Sequence, residues 1–157
     1  MTVTVHRSQG ELDFRWLHEL FVAYEADLPA ELRHGAVPGI DEIGATYAPP
    51  NAAFVATYES RPIGCVALRT APEDPQSTAV LLRLFVRPQS RRLGAARLLV
   101  VAAIEFARQM GFGRIVLDTH KAELEPAYRL YRSLGFEECT PYAEVSYDSP
   151  TFMRLRL

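Results

Sequence analysis

Two strongly apolar segments, separated by a long amphipathic stretch, constrain the fold of this chain more than any other feature. The first, TAVLLRLFV, spans residues 78–86, and the second, RIVLD, spans residues 114–118. Each is short and almost wholly apolar, which is typical of a strand covered on both faces. The stretch between them predicts a helix over about 93–110, and Gly111 and Gly113 favour its end there. Strand, helix and strand in this order predict a right-handed parallel unit in an α/β fold.

Shorter patterns supply the rest of the sheet and helices. Ser8 and Glu11 form a capping-box pattern, which predicts that a helix starts there and continues to Pro29. Further helices are expected within the segment GIDEIGATY and over about 123–134. Strands are predicted at residues 2–5, 52–59, 63–70, near 136–139 and at 151–157. This order of elements implies one mixed sheet flanked by helices.

The composition indicates one ordinary globular domain covering residues 1–157. Of these residues, 48% are hydrophobic and 23% are charged, and the formal net charge is -2. An acidic balance argues against general binding to nucleic acid or to acidic membranes, which depends on excess positive charge. The longest apolar run, 98–104, is too short to span a bilayer, and the first residues do not resemble a signal peptide. We therefore expect a cytoplasmic protein, with Cys65 and Cys139 as free thiols rather than one disulfide.

The segment RPQSRRLGAARLL, residues 87–99, stands where the long helix begins. The first turn of a helix has unpaired amides and a partial positive charge, and small side chains let an anion approach them. Gly94, Ala95 and Ala96 are small, and the stretch from 83 to 97 contains five arginines and no acid. These residues predict a phosphate or pyrophosphate site. The alternative is that the small residues only let the helix pack on the sheet.

The motif Arg91-Arg-Leu-Gly94-Ala-Ala96 resembles the R/Q-x-x-G-x-G/A signature of the GNAT superfamily of N-acetyltransferases. The segment AYRLYRSLGFEE, residues 127–138, is similar to a second segment of that family, and the resemblance extends over about 53–139. It implies a mixed α/β (α+β) fold with a mostly antiparallel twisted sheet of about six to seven strands, a central parallel pair and about four helices. It also implies a turn that holds the pyrophosphate of acetyl-CoA on backbone amides, with that role on Arg91, Arg92, Leu93, Gly94, Ala95 and Ala96.

The resemblance further implies that an amine attacks the thioester of acetyl-CoA directly, without an acyl-enzyme. Deprotonating an alkyl amine with a pKa near 10.4 costs about 4.7 kcal/mol at pH 7. The glutamate that often assists in the family falls here at Val80. Three alternatives are a water wire to backbone carbonyls, an acceptor with a low pKa, or a carboxylate from elsewhere, for which Glu25, Asp41 and Glu42 are the candidates.

Other family roles transfer more directly. Tyr131 occupies the position of a tyrosine near the departing sulfur, and a phenol with a pKa of about 10 can donate a proton to a thiolate. Its alternative is a core residue of an amphipathic helix. The pantetheine arm and the thioester carbonyl are expected at the backbone of Leu84, Phe85 and Val86. An asparagine that often contacts the arm is replaced by Leu124.

The sequence thus predicts an N-acetyltransferase that moves an acetyl group from acetyl-CoA to an amine of a small molecule or peptide. The competing hypothesis, motivated by Val80 and Leu124, is a CoA-binding sensor or interaction module without chemistry. We expect no metal, since the histidines lack ligand spacing, no nucleic acid or membrane partner, and either a monomer or a homodimer. Segments 20–50 and 140–150 are expected to build the acceptor site, and their acids and tyrosines suit a cationic amine.

Overall fold

The computed structural model describes residues 2–157 and contains strands and helices along its whole length. The strands are β1 (Thr4–Arg7), β2 (Ala52–Tyr58), β3 (Arg61–Thr70), β4 (Thr78–Val86), β5 (Arg114–Thr119), β6 (Glu137–Glu138) and β7 (Thr151–Arg156). The α-helices are α1 (Glu11–Asp27), α2 (Ile40–Thr46), α3 (Ala95–Gln109) and α4 (Glu125–Ser133). Short 3-10 turns occupy Ala30–Leu32 and Pro88–Ser90.

All seven strands belong to one sheet, in the order β1-β2-β3-β4-β5-β7-β6. Neighbouring strands are antiparallel except for β4 and β5, which are parallel and are connected through α3. The mixed, mostly antiparallel sheet with a central parallel pair and four flanking helices is confirmed. The β4–α3–β5 unit follows from the two apolar segments and the helix between them.

The parallel pair separates after a short contact. Its pairing runs from Thr78 opposite Arg114 to Val80 opposite Val116. Beyond this point β4 stays paired with β3, and β5 stays paired with β7. The two central strands therefore diverge towards their carboxyl ends and leave an opening in the sheet.

A bulge changes the direction of the side chains near the end of β4. Cys65 pairs with Phe85 and Ala67 pairs with Leu82, so an advance of two residues along β3 corresponds to three residues along β4. Arg83 lies in this bulged segment of β4 and has a φ of 56°. A bulge of this kind bends the strand and redirects a side chain.

Both faces of the sheet are covered. On one face α3 packs its buried residues, including Leu99, Val100 and Ala103, against β2, β3 and β4. On the other face α1 and α2 contribute Leu17, Phe21 and other apolar residues to a second core. No helix within residues 2–157 is both long enough and apolar enough to pass through a bilayer.

The start of the chain differs from its prediction. The first strand occupies Thr4–Arg7 rather than residues 2–5, and the capping box is wrong. Ser8 continues the pairing of β1, since its amide donates to the Ala53 carbonyl, and its hydroxyl makes no cap. The carboxylate of Asp13 instead accepts the Gln9 amide at 2.8 Å.

The two cysteines are free and differ in accessibility. Burial raises the pKa of the Cys65 thiol to about 12, although Arg83 and Arg87 oppose the shift. Cys139 is partly exposed, and partial burial raises its pKa as well. At mildly alkaline pH we expect a disulfide reagent to modify only Cys139 in the native protein and both thiols after denaturation. Cys139→Ser should leave no reactive native thiol, whereas rapid native labelling of Cys65 would contradict this.

Candidate active site

A cleft of about 810 Å³ opens where the end of β4 faces the start of α3 and one side of α4. Most of the predicted cofactor-binding residues line it, namely Leu84, Phe85, Val86, Arg91, Arg92, Gly94, Ala95 and Ala96. The exception is Leu93, which is 44% exposed and does not belong to the lining. The opposite walls are formed by Tyr24, Asp27, Leu28 and Pro29 near the end of α1 and by Leu124, Pro126, Ala127 and Leu130 around the start of α4.

The first turn of α3 presents free backbone amides to this cleft. Gly94 caps the helix with a φ of 80°, and the first helical bond runs from the Leu98 amide to the Gly94 carbonyl at 3.2 Å. The amides of residues 95–97 therefore lack acceptors within the helix. A Cβ built on Gly94 meets nothing within 4 Å, so the space above this turn is open. Together with the helix dipole, the turn is suited to an anion such as a pyrophosphate.

Arg91 is engaged within the protein. Its Nε donates to the Val86 carbonyl at 3.0 Å, and its Nη2 donates to Oδ2 of Asp27 at 2.8 Å. These bonds connect the end of α1 to the loop between β4 and α3. The side chain therefore shapes the cleft, while part of its charge is balanced by Asp27.

Arg92 and Arg97 supply further positive charge at the rim. Arg92 is exposed, has a φ of 73° and takes part in none of the ion pairs within residues 2–157. Arg97, which the sequence analysis did not single out, lines the cleft and donates to the Ser133 hydroxyl at 2.7 Å. It thereby ties the first turn of α3 to α4. Arg92 is the side chain best placed to meet a phosphate.

Tyr131 lies in the core beneath the cleft rather than in its lining. The residue is buried, and its ring packs against Phe136 with 5.6 Å between centroids. Burial, and then the neighbouring Tyr24 and Asp118, raise the pKa of its hydroxyl well above the ordinary value. The phenol therefore stays protonated at neutral pH.

None of the three acids proposed in place of the missing glutamate lines the cleft. Val80 is buried, as its apolar strand predicts. The carboxylate of Glu25 accepts the His34 amide at 2.7 Å and so fixes the segment after α1. Asp41 and Glu42 are exposed in the first turn of α2, where they complement the helix dipole.

The structure brings a different carboxylate to the opening between β4 and β5. Asp118 lies near the end of β5, two residues after Val116 and therefore on the same face as Val80. Its Oδ2 accepts the Tyr147 hydroxyl at 2.7 Å, and its Oδ1 accepts the Tyr142 hydroxyl at 3.2 Å. Burial, and then the Asp118 carboxylate, raise the pKa of both hydroxyls, so both remain donors.

Asp118 is not among the residues predicted from the sequence, although the sequence contains a signal for it. It is the acid that follows the apolar residues of RIVLD, on the strand predicted to lie parallel to β4. Carboxyl ends of parallel strands meet at one edge of a sheet, which is where ligands bind in many α/β proteins. Segment 140–150, which is expected to build the acceptor site, contacts Asp118 through Tyr142 and Tyr147.

Comparisons with known proteins agree with this arrangement. The acetyltransferase (GNAT) family matches residues 14–136. An uncharacterized N-acetyltransferase of Schizosaccharomyces pombe is 34% identical over 113 residues, which cover 71% of this chain and 68% of that protein. Human N-acetylaspartate synthetase is 37% identical over 89 residues, or 56% of this chain, and the match spans only 28% of the human protein.

A solved acetyltransferase from Salmonella typhimurium with acetyl-CoA as its cofactor has the same fold, with a TM-score of 0.79. The two chains are 20% identical, and the superposition covers 99% of this chain and 94% of that one. The family match extends from α1 to Phe136, just after α4, and so includes every residue that lines the cleft. This chain belongs to the GNAT family of acetyltransferases.

Proposed function

We propose that residues 1–157 form one acetyltransferase domain that moves the acetyl group of acetyl-CoA to a primary amine of a small molecule or peptide, by direct attack in a ternary complex. The observation that carries the proposal is a single cleft that runs from the free amides at the start of α3 to the backbone of Leu84–Val86, where β4 has separated from β5. The amides suit a pyrophosphate, while Asp118 near the end of β5 and the buried Tyr131 lie outside the cleft lining. The cytoplasmic location and the choice between monomer and homodimer stay predictions.

The residues that line the cleft fit acetyl-CoA. The amides of residues 95–97 and the exposed guanidinium of Arg92 would hold its diphosphate, because charge-assisted bonds to phosphate are strong. The backbone at Leu84–Val86, freed by the separation of β4 from β5, would align its arm. Leu124 lies on the other wall and contributes apolar contact. When bound, acetyl-CoA supplies an acetyl group activated as a thioester.

Asp118 and Tyr131 are the residues that we assign to proton transfer. Asp118 can hold an ammonium group and accept its proton, directly or through a water, while Tyr142 and Tyr147 fix the carboxylate. Tyr131 stays protonated because its pKa lies above the usual value for a phenol, so its hydroxyl is available as a proton donor to the departing thiolate of CoA. Bringing amine and acetyl donor together in one cleft supplies a further part of the acceleration.

Asp118 weakens the competing hypothesis of a sensor without chemistry. That hypothesis depends on the loss of an acid at Val80, and Asp118 stands on the same face of the neighbouring strand. The test is release of free thiol from acetyl-CoA with a panel of amines. Thermal stabilisation by acetyl-CoA with no thiol release for any amine would favour the sensor.

We expect Tyr131→Phe to lower kcat by about tenfold or more, because it removes the proton donor and little else. The KM for acetyl-CoA should change little, since Tyr131 lies beneath the cleft. Tyr128→Phe is a matched control one turn earlier on α4. Its hydroxyl bonds the exposed Glu138 at 2.7 Å, so its loss should leave kcat within about twofold. An unchanged kcat in Tyr131→Phe would remove the proton-donor assignment.

The nature of the acceptor has one further indication. The name of one relative, N-acetylaspartate synthetase, states an acetylated amino acid as its product. This supports a small amine for the present chain. The residues that surround the opening give a more specific indication.

A further inference from the structure

We propose that Arg83 binds an anionic group of the acceptor, and that the acceptor is therefore an amine that also carries a carboxylate. This inference rests on the acetyl-transfer function proposed above and names its substrate class. It depends on the direction of the Arg83 side chain, on the surroundings of its guanidinium and on the charges nearby.

The bulge in β4 places Arg83 on the acceptor side of the sheet. In a regular strand, Leu82 and Arg83 would face opposite sides. Here Leu82 packs with the core formed by α1 and α2, and the Arg83 guanidinium lies over the Phe21 ring of α1, 4.6 Å from its centroid. The φ of 56° at Arg83 is uncommon for a residue other than glycine. Side chains in such conformations concentrate at functional sites.

The guanidinium is partly enclosed and incompletely paired. Nη1 of Arg83 is buried and has no hydrogen-bond partner, and no ion pair within residues 2–157 includes this residue. Its neighbours are the Phe21 ring and the buried Tyr47, whose pKa is raised by burial and lowered by the guanidinium, through its charge and a side-chain hydrogen bond that leaves Nη1 unpaired. A buried donor without an acceptor is costly, more so when it carries a charge. An incoming carboxylate would supply the missing acceptor.

Charges of opposite sign lie near Tyr24. The pKa of Tyr24 rises mainly through burial; Arg83 lowers it, and Asp118 raises it. Tyr24 also lines the cleft that we assign to acetyl-CoA. A carboxylate at Arg83 and an ammonium at Asp118 would thus place an amino-acid-like acceptor beside that cleft. Arg69, whose charge lowers the pKa of Tyr47 and Tyr142, supplies further positive charge near these tyrosines.

A carboxylate fits this site better than a phosphate. One guanidinium forms two parallel bonds to a planar carboxylate, whereas a phosphate dianion usually gathers more positive donors. The rival interpretation is that Arg83 is structural and serves only to stack on Phe21. The two interpretations differ in what happens when the anionic group of the acceptor is removed.

The test uses the full chain and three small amines: β-alanine, its carboxamide 3-aminopropanamide, and O-phosphoethanolamine, together with free amino acids and their amides. We expect thiol release to favour carboxylates over their amides by about 100-fold in kcat/KM, because a site built for a charged partner rejects an analogue that lacks it. Arg83→Met should lower kcat/KM for the carboxylate acceptors by about 100-fold, mainly by raising KM, and should leave kcat/KM for the amides unchanged. Arg83→Lys should restore part of the lost activity towards carboxylates.

Arg87→Met is the matched control. Arg87 lies just after β4, and its Nε donates to the Pro62 carbonyl at 3.1 Å, outside the cleft lining. The Arg87→Met variant should leave the preference for carboxylates over amides unchanged. Stabilisation of each variant by acetyl-CoA in a melting experiment checks that the cofactor site is intact.

Three outcomes would overturn the inference: equal rates for acids and amides in the wild type, an equal loss for both in Arg83→Met, or a preference for O-phosphoethanolamine alone. If no amine gives thiol release, calorimetry of the same amines in the presence of CoA decides. Carboxylate-dependent binding that Arg83→Met abolishes would uphold the anion site although acetyl transfer fails. Equal or absent binding of acids and amides would overturn it.

Discussion

Gly94→Val should weaken acetyl-CoA binding by about 1,000-fold, because it removes at least two charge-assisted bonds of about 1.5–3 kcal/mol each. A Cβ placed on Gly94 meets nothing within 4 Å in the protein, so the valine side chain would occupy the open space above the amides of residues 95–97. A branched side chain there would keep a diphosphate away from those amides. Isothermal titration calorimetry with acetyl-CoA measures the effect directly.

Gly10 supplies a control for backbone strain. It caps α1 with a φ of 85°, and a Cβ placed on it also meets nothing within 4 Å. Gly10→Val therefore also places valine at a positive φ, far from the cleft, and the ψ of 167° at Gly10 makes this conformation at least as unfavourable for valine as the one at Gly94. Both variants should lose thermal stability, but only Gly94→Val should lose acetyl-CoA affinity. Equal affinities in the two variants would contradict the diphosphate site at the start of α3.

Asp118→Asn should lower kcat by about 1,000-fold, within the range of 100- to 10,000-fold that is usual for a positioned acid or base. Asparagine keeps the size of the side chain, and its carbonyl oxygen can still accept from one of the two tyrosine hydroxyls, whereas its amide nitrogen would face the other. It cannot take a proton from the acceptor or balance an ammonium charge. Steady-state thiol release, measured with an acceptor found in the amine panel, gives kcat, and calorimetry should show unchanged affinity for acetyl-CoA.

Two further variants separate charge from geometry at Asp118. Tyr147→Phe removes one bond that orients the carboxylate but retains its charge, so a smaller loss, of about tenfold, is expected. Asp41→Asn changes an exposed acid in the first turn of α2 and should leave kcat unaltered. If Asp118→Asn retained wild-type kcat while Asp41→Asn lost it, the base would lie on α2. Asp41 is one of the candidate carboxylates drawn from the sequence.

The sequence was sufficient to predict the scaffold and most of the residues that gather at the cleft that we assign to acetyl-CoA. The apolar segments at 78–86 and 114–118 specify two covered strands, and the helix between them allows only a crossover connection. The cluster around Gly94 is contiguous in the chain, so small residues, arginines and a helix start are visible together. Eight of the nine predicted cofactor-binding residues line one cleft, and Leu93 does not.

The acceptor side could not be predicted in the same way. The carboxylate near the opening comes from β5, and its two hydroxyl partners come from the loop before β7. The anion site that we propose depends on a bulge at Arg83, which a regular alternation would place on the other face. Glu25 looked available as an acid, but it is bonded to the backbone of His34.

The sequence by itself determined the strand–helix–strand centre, the family and the turn at Gly94, because hydrophobic periodicity and helix-start chemistry act between residues that are near one another along the chain. Only the tertiary structure decided which acid meets the opening, which arginines are already paired and which way Arg83 points. Those properties depend on strand separation, on a one-residue shift in register and on hydrogen bonds between distant segments. None of these leaves a local pattern in the order of residues.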